Sequence, residues 1–157
     1  MPDQIITIGL ISDTHGLLRP QAVAALQGSD AILHAGDIGD PVILDRLAEI
    51  APVTAVRGNN DMAGWARRIP ETAELRIGGV TIHVLHDLAL LDIDPARSGI
   101  GVVVTGHSHR PKSQRENGVL YINPGSAGPR RFTLPISLGK LRLQNGEITD
   151  ELIELSV

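Results

Sequence analysis

Two short stretches hold the side chains best suited to chemistry. "LISDTHG" at residues 10–16 sets Asp13 and His15 one residue apart, and "TGHSHR" at 105–110 does the same with His107 and His109. In an extended segment residues i and i+2 point to the same side, so each pair is expected to form a two-toothed grip. Three further places carry related groups: Gly36-Asp37, the run Arg57-Gly58-Asn59-Asn60-Asp61, and His86-Asp87. There are no cysteines, so a metal here must be held by nitrogen and oxygen. Asp, His and Asn together suit Mn²⁺, Zn²⁺, Fe²⁺ or Ni²⁺ better than Ca²⁺. Asp37 could bridge two cations, because a carboxylate offers two oxygens.

Taken singly, each motif has a plainer reading. D-x-H is common, Asp37 could cap a helix or turn, and His86 could be a hydrogen-bonded strand histidine. His-x-His says more. Their recurrence favours a metal site, since all of these groups stand just after apolar, strand-like runs. His34 and His83 lie inside such runs and are read as structural or supporting.

The elements that must position these residues begin with "IITIGLIS", a β-branched apolar run expected to be a strand buried on both faces. "RPQAVAALQ" reads as a helix with Pro20 in its first turn. "DAILHAG" is a second buried strand. "DPVILDRLAEI" is a helix with Asp40 as N-cap and Pro41 at its first position. "APVTAVRG" is a third strand, and the alternation predicts a parallel, layered α/β half. The second half reads as hairpins. "AELRI" and "VTIHVLH" turn at Gly78-Gly79, a turn at Asn117-Gly118 leads into "VLYINPGS", and "ISLGKLRLQ" and "EITDELIEL" turn at Asn145-Gly146. "GVVVTGH" is one more strand. Many strands beside few helices predict a second, more antiparallel sheet packed on the first. Glycines 36, 58 and 106 precede polar residues, where tight turns and close backbone approach are expected.

The 157 residues suffice for one domain over 1–157 with a substantial core. Apolar residues make up 42% and charged residues 20%, as in ordinary globular chains. A net charge of −4 without a basic stripe argues against a nucleic-acid partner. No apolar run approaches the roughly 20 residues of a membrane span, and the N-terminus lacks a basic leader, so a cytoplasmic protein is expected.

In order, "DTH", "GD", "GNND", a lone His and "GHSH" resemble the calcineurin-like metallophosphoesterase superfamily, and "INPGS" at 122–126 is similar to its small bacterial and archaeal phosphodiesterase branch. The resemblance implies a four-layer α/β/β/α sandwich of two packed mixed sheets flanked by helices, with a dinuclear site on one rim. By position, Asp13, His15 and His109 would hold one divalent transition metal. Asn59, His86 and His107 would hold the other, with Asp37 bridging. Manganese is the first expectation, with Zn, Fe or Ni as alternatives. Asp61 would orient a ligand histidine, and Asn123 and Ser126 would buttress the floor. The implied activity is phosphodiester hydrolysis by a metal-bridging hydroxide, with Asp37, Asn59, Asn60 and Arg57 as catalytic residues and a phosphate ester as substrate. Arg57 is placed either to reach a phosphate oxygen or to form a salt bridge.

Two departures stand out. Many family members carry His directly after the metal-binding Asn, where this chain has Asn60. An amide donates a hydrogen bond but does not deliver a proton as imidazolium does. Asp87-Leu88 stands where relatives often have Gly-His. The alternative reading is a non-catalytic protein-interaction module, as in a eukaryotic retromer subunit that resembles the family. Against it, all seven expected ligands are present. Trp65 reads either as a stacking platform or as packing, and an even-numbered homo-oligomer is expected for a small domain of this type.

Overall fold

Apolar strands that are β-branched on both faces need cover on both sides, and the chain provides it by layering two sheets. The computed structural model describes residues 4–157, so the leader-free reading of the N-terminus lies partly outside the described residues. Strand β1 (Ile6–Ile11), helix α1 (Pro20–Leu26), β2 (Ala31–His34), helix α2 (Val42–Ala48) and β3 (Val53–Ala55) form the expected alternation. β1 pairs in parallel with β2 (Leu10 opposite Leu33), and β2 pairs with β3. β4 (Thr72–Ile77), β5 (Val80–Leu85), β6 (Val102–Val104), β7 (Lys112–Glu116) and β8 (Val119–Asn123) make the second sheet, in the order β4-β5-β6-β8-β7.

The closing hairpin, β9 (Ser137–Gln144) and β10 (Glu147–Glu154), does not join its sequence neighbours. It returns to the first sheet, giving β10-β9-β1-β2-β3, with β9 antiparallel to β1. Both sheets are therefore mixed. Leu141 and Leu143 explain the return, because they complete the inter-sheet core with Ile8, Leu10, Leu33, Ile82, Val84, Val102, Val104, Leu120 and Ile122. On the other face of the first sheet, Ile11 and Ile32 bury Ala22 and Leu26 of α1 and Ile43 and Leu47 of α2.

α1 starts at Pro20 as expected. α2 starts one residue later than the sequence predicts, with Pro41 at the cap position and Val42 as its first residue. The Asp40 carboxylate still accepts from the Val42 N–H at 3.0 Å, so its capping chemistry survives the shift.

The outer layer on the second sheet is thin. The chain from β5 to β6 carries one 3-10 turn, Leu88–Leu90, and no α-helix. Pro95 and Gly99 interrupt this segment and leave no long apolar stripe to nucleate one. Leu85, Ile100, Val103 and Val119 form a small cluster there, with Leu91 and Tyr121 against it. Among the described residues, no helix is long and apolar enough to cross a membrane.

Candidate metal centre

The carboxyl ends of β1, β2, β3, β5 and β6 meet on one rim, because these strands run parallel within each sheet and the sheets are stacked. Backbone bonds carry the ladder beyond the strands. The Asp13 N–H donates to Gly36 O at 2.9 Å, His15 N–H to Asp37 O at 2.9 Å, and Gly106 N–H to His86 O at 2.9 Å. Sequence-distant motifs are thereby fixed side by side.

At the centre are two carboxylates. His109 Nε2 lies 3.3 Å from Asp13 Oδ1, His15 Nε2 3.8 Å and His86 Nε2 3.9 Å. Asp37 Oδ2 is 3.3 Å from His86 Nε2 and 3.7 Å from His15 Nε2. Two ligand clusters result, Asp13–His15–His109 and Asp13–Asp37–His86, within which the ligand atoms lie inside 4.8 Å of one another. His107 and Asn59 stand further out and are exposed. His107 Nδ1 is 3.2 Å from Asn59 Oδ1, and its ring meets that of His86 edge-on at 5.2 Å.

The extended-segment picture of the His and Asp pairs needs correcting. Asp13, His15, Asp37, His107 and His109 all have positive φ, between 46° and 72°. Non-glycine residues adopt this region at a cost, and such strain gathers where surroundings enforce it at functional sites. The backbone therefore turns at each ligand. Asp13 and His15 still converge, but His109 faces Asp13 while His107 faces Asn59.

Orientation comes mostly from backbone groups. His86 Nδ1–H donates to Ala35 O at 2.7 Å, which leaves Nε2 bare and aimed at Asp37. The resemblance assigns a histidine-orienting task to Asp61, and the structure assigns it a different one. The Asp61 carboxylate accepts from the backbone N–H of Ile38, Gly39 and Gly58 at 3.1, 3.1 and 2.9 Å, tying two loops together. Asp13 Oδ2 accepts from the Ser12 hydroxyl at 2.7 Å and from the His107 N–H at 3.1 Å, so only Oδ1 faces the histidines. Gly58 and Gly106 have no room for a side chain. A Cβ on Gly58 would strike Asp37, and one on Gly106 would strike the Ser12 hydroxyl and Asp13.

Asn123 and Ser126 brace the floor. Asn123 Nδ2 donates to Gly106 O at 2.8 Å, and the Ser126 hydroxyl donates to Asp13 O at 2.9 Å. Asn60 donates to Asp37 twice, through its backbone N–H and its side chain. Arg57 pairs with Glu71 at 2.9 Å, the salt-bridge option of the two left open for it. Trp65 packs beside the α2 cluster, away from these residues.

His34 and His83 stay out of the cluster. His34 Nδ1 accepts from the Gly36 N–H at 3.1 Å, so its proton sits on Nε2, which donates to Thr14 Oγ1 at 3.0 Å. That hydroxyl donates to Ile38 O at 2.8 Å, and burial lowers the His34 pKa to about 4. His83 lies on β5, 3.6 Å from the Glu74 carboxylate.

The electrostatics fit a cation. Burial opposes charge on Asp37, yet His86, the Asn60 N–H and His15 hold its pKa at about 2. Burial likewise opposes charge on Asp13, but His109, Ser12 and His86 lower its pKa. His86 is raised, because Asp37, Asp13 and Ala35 O outweigh burial. His15 is lowered by burial, against the pull of Asp37 and Asp13. Among the described residues, five buried side-chain polar atoms have no hydrogen-bond partner, and four are here: Asp13 Oδ1, His15 Nε2, His86 Nε2 and His109 Nδ1. Buried polar groups are seldom left so, and a cation between Asp13, His15 and His86 would satisfy the first three.

Comparison with known proteins agrees with this geometry. The calcineurin-like phosphoesterase superfamily domain matches residues 6–146. The chain belongs to that superfamily. A probable metallophosphoesterase of Methanocaldococcus jannaschii is 35% identical over 147 residues, 88% of this chain and 76% of that protein. Two solved structures share the fold. An archaeal phosphodiesterase matches with a TM-score of 0.76 at 24% identity, over 94% of this chain and all (100%) of that one. Vacuolar protein sorting 29 from Cryptosporidium parvum matches with a TM-score of 0.78 at 22% identity, over 99% of this chain and 100% of that one. Family membership and the donor set together point to divalent-metal binding and a hydrolase.

Proposed function

We propose that this protein is a dinuclear, metal-dependent phosphodiesterase. Asp13, His15 and His109 hold one divalent cation, Asn59, His86 and His107 hold the other, and Asp37 lies between them. The observation that carries this reading is the convergence of three histidine Nε2 atoms on two carboxylates of lowered pKa, with Asp13 Oδ1 and the Nε2 atoms of His15 and His86 buried and unpartnered and His109 Nε2 3.3 Å from Asp13 Oδ1. Such a metal pair supplies hydroxide near neutral pH and neutralises charge on the phosphoryl group.

The chain's own part is to hold the ligands in their binding protonation states. The Ala35 carbonyl keeps the His86 proton on Nδ1, and Ser12 and the His107 N–H fix Asp13 with one oxygen inward. Asn60 keeps Asp37 in place with two hydrogen bonds. Arg57, engaged with Glu71, shapes the rim.

The test is metal-stripped protein assayed on bis(p-nitrophenyl) phosphate with Mn²⁺, Ni²⁺, Zn²⁺ or Mg²⁺ restored, beside Asp37→Asn and His107→Ala. Turnover that returns with a transition metal and fails in both variants is expected. Absence of turnover together with absence of bound metal by elemental analysis would overturn the proposal. It would favour the second reading, an interaction module, which draws support from the likeness to vacuolar protein sorting 29.

A further inference from the structure

Two grooves open from the rim, and one short turn divides them. The first, about 370 Å³, runs from His107 across the outer face of β8 and β7, past Leu88, Arg110, Lys112, Gln114 and Tyr121. The second, about 390 Å³, runs from Asn59 and His86 past Arg57, Thr72 and Leu90. Both are within the range of small-molecule sites. Asp87 lines both grooves. The 3-10 turn that follows it gives Leu88 to one groove and Leu90, 73% exposed, to the other.

We infer that the Asp87–Leu90 turn is the specificity element of this enzyme, selecting phosphodiesters with two sizeable ester groups over phosphomonoesters. The inference rests on the phosphodiesterase reading above and names the element that sets its choice of substrate. Two independent features carry it. First, a diester centred at the rim can send one group into each groove, whereas a monoester fills only one. Second, the turn sets a fixed negative charge where the grooves meet. Asp87 Oδ1 accepts the Ala89 N–H at 3.0 Å, and Oδ2 stands 3.8 Å from His107 Nε2. A monoester carries close to two negative charges above its second pKa of about 6, and a diester carries one. The carboxylate therefore repels the monoester more strongly, an effect of about tenfold or more for charges a few ångströms apart near a protein surface. The thin outer layer of the second sheet keeps the first groove open, since an α-helix there would cover Tyr121 and Leu88.

The test compares Asp87→Asn with the native protein. Asparagine retains the oxygen that caps Ala89, so the turn is kept while the charge is lost. The ratio of kcat/KM for bis(p-nitrophenyl) phosphate over p-nitrophenyl phosphate is expected to fall about tenfold in Asp87→Asn, through faster monoester turnover. Calorimetry of the metal-loaded proteins with inorganic phosphate gives a readout without turnover, and the variant should bind it about tenfold more tightly. An equal fall in turnover of both esters would reduce Asp87 to a partner of His107 and overturn the inference. Gln114→Trp and Thr72→Trp fill the two grooves separately. Each should lower kcat/KM for the bis-aryl diester, and only one of them should do so for methyl p-nitrophenyl phosphate. If neither filling variant alters diester turnover or the binding of diphenyl phosphate, the grooves are not used. A native protein that hydrolyses none of these esters would instead remove the phosphodiesterase reading, a result distinct from active enzyme with an unchanged ratio.

Discussion

Asn60 grips both oxygens of Asp37, its backbone N–H donating to Oδ1 at 2.9 Å and its side-chain Nδ2 to Oδ2 at 3.0 Å. The second N–H of that amide can donate a hydrogen bond to a leaving group, but a neutral amide delivers no proton as an imidazolium does. The position that holds a histidine in many relatives is therefore used here to fix a ligand, at the expense of proton delivery.

This gives a direct expectation for leaving groups. Aryl diesters, whose leaving oxygens need no proton, should be hydrolysed on the order of 10²-fold or more faster than simple alkyl diesters. Asn60→His should narrow the gap by speeding the alkyl esters. Steady-state rates on p-nitrophenyl and dialkyl phosphodiesters check it, and comparable native rates on the two would refute it.

Asp61 stabilises the site loops rather than tuning a histidine, so its loss should appear in folding first. Asp61→Ala leaves three backbone N–H groups of residues 38, 39 and 58 without an acceptor. A loss of about 3 kcal/mol is expected by urea denaturation of the metal-free protein, with Asp61→Asn intermediate. If Asp61→Ala kept native stability and changed only the pH profile, the histidine-orienting role would be restored.

His34 should make the metal-free protein acid-sensitive. Its folded pKa of about 4 lies below the ordinary 6.5, because burial disfavours the charged ring. The unfolded chain thus binds a proton first. The stabilisation is full above pH 6.5 and is lost as pH falls from 6.5 toward 4, at most roughly 3 kcal/mol. His86, with a raised pKa, contributes in the opposite sense. The decisive quantity is the native-minus-His34→Gln difference in unfolding free energy at pH 7.5 and pH 5. A difference independent of pH would contradict the expectation.

Gly106 should tolerate no side chain. A Cβ there meets the Ser12 hydroxyl and the Asp13 carboxylate, 2.7 Å from Asp13 Oδ2. Gly106→Ala is expected to cost about 1–3 kcal/mol of stability and to weaken metal binding by moving Asp13. Thermal unfolding with chelator and with added Mn²⁺ separates the two effects. A native metal-induced rise in Tm would show that the carboxylate had not moved.

Much of the site was legible in the sequence because its signals are local. Asp13, His15, Asp37, His86, His107 and His109 each follow an apolar run, and buried parallel strands place their carboxyl ends together. Residue type and position relative to a strand end sufficed to nominate them. The Asn145-Gly146 turn and Pro20 were readable for the same reason, since turn and helix-start chemistry lie within a few residues.

What only the tertiary structure decided are the relations between distant segments. The closing hairpin pairs with β1, setting Leu141 opposite Ile8 from the far end of the chain, because Leu141 and Leu143 complete the core between the sheets. Asp61 serves the backbone at 38 and 39, and His86 is oriented by Ala35 O, 51 positions away. Left-handed φ at five ligands arises where crowded loops override local preference. The sequence alone thus determined which side chains could bind a cation. Which partners hold them, and which grooves lead to them, depended on how two separately twisted sheets pack, a property no single stretch of chain contains.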